Sequence, residues 1–176
     1  MMPMSLAALS ELVTRPKIFV SYHRGNDKHY FDALSNLLHD THRVVSDCSV
    51  DEEIDSADPD YVRRRISEEF ITGTSCTFVL CGAHTYQRKY VDWEIKATLD
   101  KQHALIGVHL PRFSVAPAVV PWRLHDNHVS GYAVMAHWDQ LVTNPRLVPA
   151  LVAEASSKDR FRIVNSREMM SRNAIV

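Results

Sequence analysis

Residues 75–111 read SCTFVLCGAHTYQRKYVDWEIKATLDKQHALIGVHLP, and the succession of apolar patterns within them decides the fold. Ser75 to Gly82 is a continuous apolar run of strand length, the pattern of a strand buried on both faces of a parallel sheet. From Lys89 to Asp100 the period changes, because Val91, Ile95 and Leu99 recur every four residues and so share one stripe of a helix. His103 to Pro111 is apolar again and ends at a proline, which reads as a second buried strand.

The same alternation extends upstream. KIFVSYH, Lys17 to His23, is a β-branched and aromatic run after Pro16 that ends at the turn RGND. Asp27 is then expected as the N-cap of a helix carrying Tyr30, Phe31, Leu34, Leu37 and Leu38 at helical spacing. RVVSD, Arg43 to Asp47, is a second short strand, followed by a long acidic loop from Ser49 to Asp60. Asp58 and Pro59 have the chemistry of an N-cap and first helical residue, opening a helix through Val62, Ile66 and Phe70 that stops near Gly73. Strands alternating with helices predict an α/β fold, a parallel sheet with helices on both faces, whose site lies beyond the carboxyl ends of the strands.

Downstream the pattern blurs. Pro117 and Pro121 interrupt it, and SGYAVMAHW fits either an edge strand or a helical turn. NPRLVPALVAEASSK reads as a last helix, and the polar tail from Arg160 is expected to pack loosely. The domain is therefore expected over residues 17–155, with an N-terminal extension at 1–16 and a C-terminal tail at 156–176.

A chain of 176 residues is the size of one domain, and with 45% hydrophobic and 23% charged residues it can bury a sizeable core. A formal net charge of -1 leaves no basic excess for nucleic acid. The first residues lack the pattern of a signal peptide and no apolar run is long enough to span a bilayer, which predicts a cytoplasmic protein without membrane contact. Cys48, Cys76 and Cys81 are an odd set without CxxC spacing, so buried thiols are expected rather than a disulfide framework or a zinc site.

No GxGxxG, no GxxxxGK[ST] and no GxSxG is present, which argues against a Rossmann enzyme, a P-loop enzyme and an α/β hydrolase. What remains is a set of polar groups at the predicted strand ends: SYHR (Ser21 to Arg24), Asp47, the stretch from Cys81 to His84, and Glu94. A parallel sheet brings them to one crevice. Each also has an ordinary reading. Glu94 near a helix start meets the positive end of the dipole, worth about 0.3–1 kcal/mol on a surface; Asp47 can cap a turn; Tyr90 and Trp93 fit a core or rim.

KIFVSYHR resembles the opening strand of Toll/interleukin-1 receptor (TIR) domains, with His23 where Arg is common. FVLCGAHTYQRKYVDWEIKATLDKQHALIGV resembles the TIR stretch in which an aromatic stands four residues before a catalytic Glu; here those places fall on Tyr90 and Glu94. YVDWEIKATLDK together with VPWRLHDNHVSGYA is similar to the bacterial TIR-like proteins of Thoeris antiphage defence, the whole resemblance covering Lys17 to Trp138.

The resemblance implies a flavodoxin-like three-layer fold and cleavage of NAD between nicotinamide and ribose, with some members cyclising the product into a cyclic ADP-ribose-type signal for a separate effector protein. It implies Glu94 as the catalytic residue; Tyr22, His23 and Arg24 on the phosphate or ribose side; Asp47 on the pocket floor; Tyr61 stacking on a ring; and Cys81, Gly82, His84 and Tyr90 around the substrate. NAD enters as substrate, with no cofactor or metal, and the acidic loop corresponds to the segment TIR domains use in self-association. Two alternatives stay open: a catalytically silent TIR-type interaction scaffold, and a nucleoside deoxyribosyltransferase-like enzyme, which shares the sheet and a catalytic Glu.

Overall fold

A computed structural model describes residues 15–46, 58–111 and 119–174. Five parallel strands form the central sheet: β1 (Lys17–Ser21), β2 (Arg43–Val45), β3 (Cys76–Cys81), β4 (Ala104–His109) and β5 (Val134–His137). They lie in the order β2-β1-β3-β4-β5, paired parallel throughout, with Ser21 opposite Val79 and Cys81 opposite His109. The parallel sheet is the one the alternating pattern predicts, and its strand order is the flavodoxin-like arrangement that the resemblance implies.

Six α-helices flank the sheet among the described residues: α1 (Arg24–Leu38), α2 (Pro59–Arg65), α3 (Lys89–Asp100), α4 (Trp122–Val129), α5 (Trp138–Thr143) and α6 (Leu147–Ser156). Strand alternation sorts them into two layers. Ile18, Val20, Phe78, Leu80, Ile106 and Val108 pack against Leu34 and Leu38 of α1, Leu141 of α5 and Val148 of α6. On the other face Val79 and Leu105 meet Val91, Ile95 and Leu99 of α3, while Phe19 meets Trp93 and Ala97 of α3 with Val62 of α2. Helix α3 is therefore buried on two sides.

Local chemistry explains the bounds of α2. The Asp58 carboxylate accepts from the N–H groups of Asp60 at 3.0 Å and Tyr61 at 3.4 Å, capping α2 ahead of Pro59. Helix α2 runs into a π-helical stretch, Ile66–Ile71, and the chain reverses at Gly73 with φ +83°.

Two expectations are corrected and one open alternative is decided. Helix α1 starts at Arg24, with extended His23 as its N-cap, so Asp27 lies inside the first turns and is buried rather than capping. SGYAVMAHW resolves into the edge strand β5, leading directly into α5.

The tail does not pack loosely. The Asn127 amide donates to the Val164 carbonyl at 2.7 Å, Trp93 Nε1 donates to the Met170 carbonyl at 2.8 Å, and Asp92 accepts from the Met170 N–H at 3.0 Å. Its polar composition hid these partners, because they are buried groups distant in sequence.

Candidate active site

The sheet order reverses direction between β1 and β3, so the crevice beyond their carboxyl ends is the natural place for a site. Strand β1 ends at Ser21, which shares the face of Phe19 and so points to the α3 layer. Helix α3 follows β3 and carries Glu94 in its second turn. The Ser21 hydroxyl donates to Glu94 Oε2 in a short, buried hydrogen bond. Glu94 is only 6% exposed, which removes the surface-charge reading. Polar contacts also seat the helix on β3: Thr98 donates to the Glu94 carbonyl at 2.8 Å and shares a 2.8 Å hydrogen bond with Thr77.

At the end of β3, Cys81 is buried and Gly82 lies so close to α1 that an added Cβ would run into the Asp27 carboxylate. The Gly82 N–H donates to the Thr85 hydroxyl at 2.9 Å; that hydroxyl lies 3.0 Å from the Leu80 carbonyl and 3.3 Å from Asp27 Oδ2. Burial pushes the Asp27 carboxyl above its usual range, opposed in part by Thr85 and by the nearby His29 and His84. Cys76, at the opposite end of β3, is pushed up to about 12 by burial, an inert thiol at neutral pH.

Beside this framework opens a cleft of about 660 Å³ lined by His23, Arg24, Gly25, Arg88, Lys89, Tyr90 and Asn173. Three of the lining residues are permanent cations and none is a carboxylate. The first turns of α1 and α3 both border it, adding the positive ends of two helices. The Lys89 ammonium sits 5.0 Å from the Tyr90 ring centroid and 5.4 Å from that of Trp93.

The structure thus gathers His23, Arg24 and Tyr90 around one cleft, whereas Glu94, Cys81 and Gly82 are buried and do not line it. Tyr22 turns to the other face, stacked on Phe31 of α1 at 4.8 Å. His84 is exposed just before the short turn Thr85–Gln87. Tyr61 is 50% exposed on the first turn of α2 and does not line the cleft. Asp47, like Cys48 and most of the acidic loop, lies outside the described residues.

Sequence reasoning missed Arg88 and Lys89, although their adjacency at a helix start was a usable signal. It also missed a buried ion pair. Arg123, fully buried on α4, donates through Nε to Asp92 Oδ1 at 2.9 Å and through Nη2 to Asp92 Oδ2 at 3.2 Å, two residues before Glu94. The same guanidinium reaches Asn165 Oδ1 at 2.9 Å and the Glu168 carbonyl at 3.1 Å, tying the tail to the site helix. Asp126 of α4 pairs with Arg167, which holds its carboxyl below the usual range.

Comparison with known proteins gives three findings. The family model described as "Thoeris protein ThsB, TIR-like domain" matches residues 19–114. A Bacillus cereus (strain MSX-D12) protein named "Putative cyclic ADP-D-ribose synthase ThsB1" is 33% identical over 54 residues, a stretch covering 31% of this chain and 28% of that protein. The match to the TIR domains of the activated Roq1 resistosome covers 81% of this chain and 85% of that one, at 11% identity and a TM-score of 0.39.

Proposed function

This chain belongs to the Thoeris ThsB TIR-like domain family, and from that premise we propose that it cleaves NAD at the bond between nicotinamide and ribose, producing a nucleotide signal in antiphage defence. The observation that carries the reading is Glu94, buried at the β1/β3 switch point and held by Ser21, one helical turn after Tyr90 of the cationic cleft.

Breaking the C–N bond sends its electron pair to the nicotinamide nitrogen, so the leaving group departs neutral and needs no acid. Positive charge develops on the ribose, as in glycoside hydrolysis. A desolvated Glu94 carboxylate stabilises that charge through the ribose hydroxyls and ring, and burial strengthens the attraction. The Ser21 hydroxyl holds the carboxylate in place without neutralising it. The cleft, with Arg24, Arg88 and Lys89, suits the diphosphate of a dinucleotide.

Water attacking the ribose carbon and releasing a proton yields ADP-ribose. A nucleophilic group of the same molecule, held against that carbon in a dry pocket, yields a cyclic isomer. The Bacillus cereus relative's name points to the second outcome. A diffusible product would act on a separate effector, and self-association through TIR-type surfaces would assemble the active form.

The test is mass spectrometry of the small-molecule fraction, from purified protein and from phage-infected cells expressing it. Wild type should release nicotinamide from NAD and Glu94→Gln should not. If both leave NAD equally intact in infected cells, the enzymatic reading fails and a silent interaction scaffold takes its place.

A further inference from the structure

The C-terminal segment after Val164 lies outside the residues matched by the family model, yet it reaches the cleft. Arg123, Asp92, Asn127 and Trp93 hold it firmly as far as Met170. Beyond that it makes two bonds at the start of the site helix: Asn173 Oδ1 accepts from the Lys89 N–H at 3.0 Å, and the Ala174 N–H donates to the Gln87 carbonyl at 2.9 Å. Helix α3 has no side-chain cap from its own N-cap residue, Arg88. The tail supplies it.

This bond has a directional consequence. With Oδ1 committed to Lys89, the two N–H groups of the Asn173 carboxamide are left over, and they have no acceptor among the described residues. Arg88, at the same rim, likewise makes no side-chain hydrogen bond or ion pair with the described residues, and its Nε is buried without a partner. A buried donor left unsatisfied costs free energy, and a guanidinium fork left open in a cleft without carboxylates fits a phosphate.

We propose that Asn173 and Arg88 form the recognition site for a phosphate group of the substrate, so that the C-terminal strap is part of the active site and not only a cover for α3. The proposal takes its ligand, a dinucleotide, from the function proposed above; the anionic character of the ligand follows from the cleft itself. Asn173 contributes specificity, donating to a phosphate oxygen while its own oxygen keeps the helix capped.

The test is calorimetric binding of ADP-ribose, a probe that carries the diphosphate but has no bond to cleave, with steady-state kinetics on NAD alongside. Arg88→Met should weaken ADP-ribose binding at least tenfold, with Arg88→Lys recovering part of it. Asn173→Ala should weaken it about threefold to tenfold. Asn173→Asp is the discriminating variant, since its carboxylate can still accept from Lys89 and cap the helix but would face the phosphate. Contact with substrate predicts binding in the order Asn173, Ala, Asp, with KM for NAD rising and kcat within about twofold. A cap alone predicts Asp equal to or better than Asn, and that order overturns the proposal. Circular dichroism confirms that each variant is folded. Wild type that binds ADP-ribose, with the variants losing it, upholds the site even if NAD stays uncleaved, in which case only the function proposed above falls; wild type that binds neither ADP-ribose nor inorganic pyrophosphate at millimolar concentration overturns the site.

Discussion

The Ser21 hydroxyl, at the last residue of β1, donates to the carboxylate of Glu94, 73 residues further along the chain on α3. It joins the first strand to the residue proposed as catalytic. Hydrogen bonds to charged groups are worth about 1.5–3 kcal/mol, so Ser21→Ala should lower kcat/KM on NAD roughly tenfold to a hundredfold. Steady-state nicotinamide release measures it, with Ser21→Thr recovering part of the loss. A rate for Ser21→Ala equal to wild type would show that Glu94 needs no such anchor.

The Asp92–Arg123 pair should behave as a buried ion pair that is costly to break on one side. Arg123→Met leaves Asp92 charged and buried, at a cost of about 3–5 kcal/mol. The double variant Asp92→Asn/Arg123→Met should regain part of that stability, because no unpaired charge remains. Urea unfolding of Arg123→Met, Asp92→Asn and the double variant decides it, and a double variant as unstable as the sum of the singles contradicts the pairing.

Asp27 predicts a pH dependence of opposite sign to that of an ordinary salt-bridged carboxylate. Burial raises its folded-state pKa, so between the unfolded and folded values the native state holds the extra proton. Its contribution is present below the unfolded value and is lost as pH rises through the raised one. Thermal unfolding at pH 4 and pH 7 should therefore show Asp27→Asn gaining on wild type as pH increases. A difference between the two proteins that does not change with pH rules this out.

Gly82 is needed for space, since its backbone passes against the Asp27 carboxylate. Gly82→Ala should destabilise the protein by about 1–3 kcal/mol through overpacking. Adding Asp27→Ala removes the obstructing group, so denaturant midpoints should show the second substitution costing less in the Gly82→Ala background than in wild type. Additive losses would place the strain elsewhere.

The elements differ in how legible they were. Strands β3 and β4 and helix α3 follow from local periodicity, because each buries a continuous or striped apolar face and the pattern needed is short. The start of α1 was misplaced, because Asp27 has the chemistry of a cap and only its packing under β3 shows that it is buried instead. Edge strand β5 was ambiguous for a related reason: four residues, Val134–His137, are too few to separate a period of two from one of 3.6. The polar tail looked unanchored because its partners, Asp92, Trp93 and Arg123, are remote in sequence.

By itself, the sequence determined the alternating parallel sheet, the position of Glu94 after a buried strand and the resemblance that named its chemistry, all of them carried by short-range patterns of side-chain burial. Tertiary structure alone decided that Glu94 is buried and held by Ser21, that Arg88 and Lys89 border the cleft with Arg24, and that Asn173 closes the start of α3. Those contacts join residues tens of positions apart, and no local periodicity encodes them: they exist only once the sheet order β2-β1-β3-β4-β5 has brought the ends of β1 and β3 side by side.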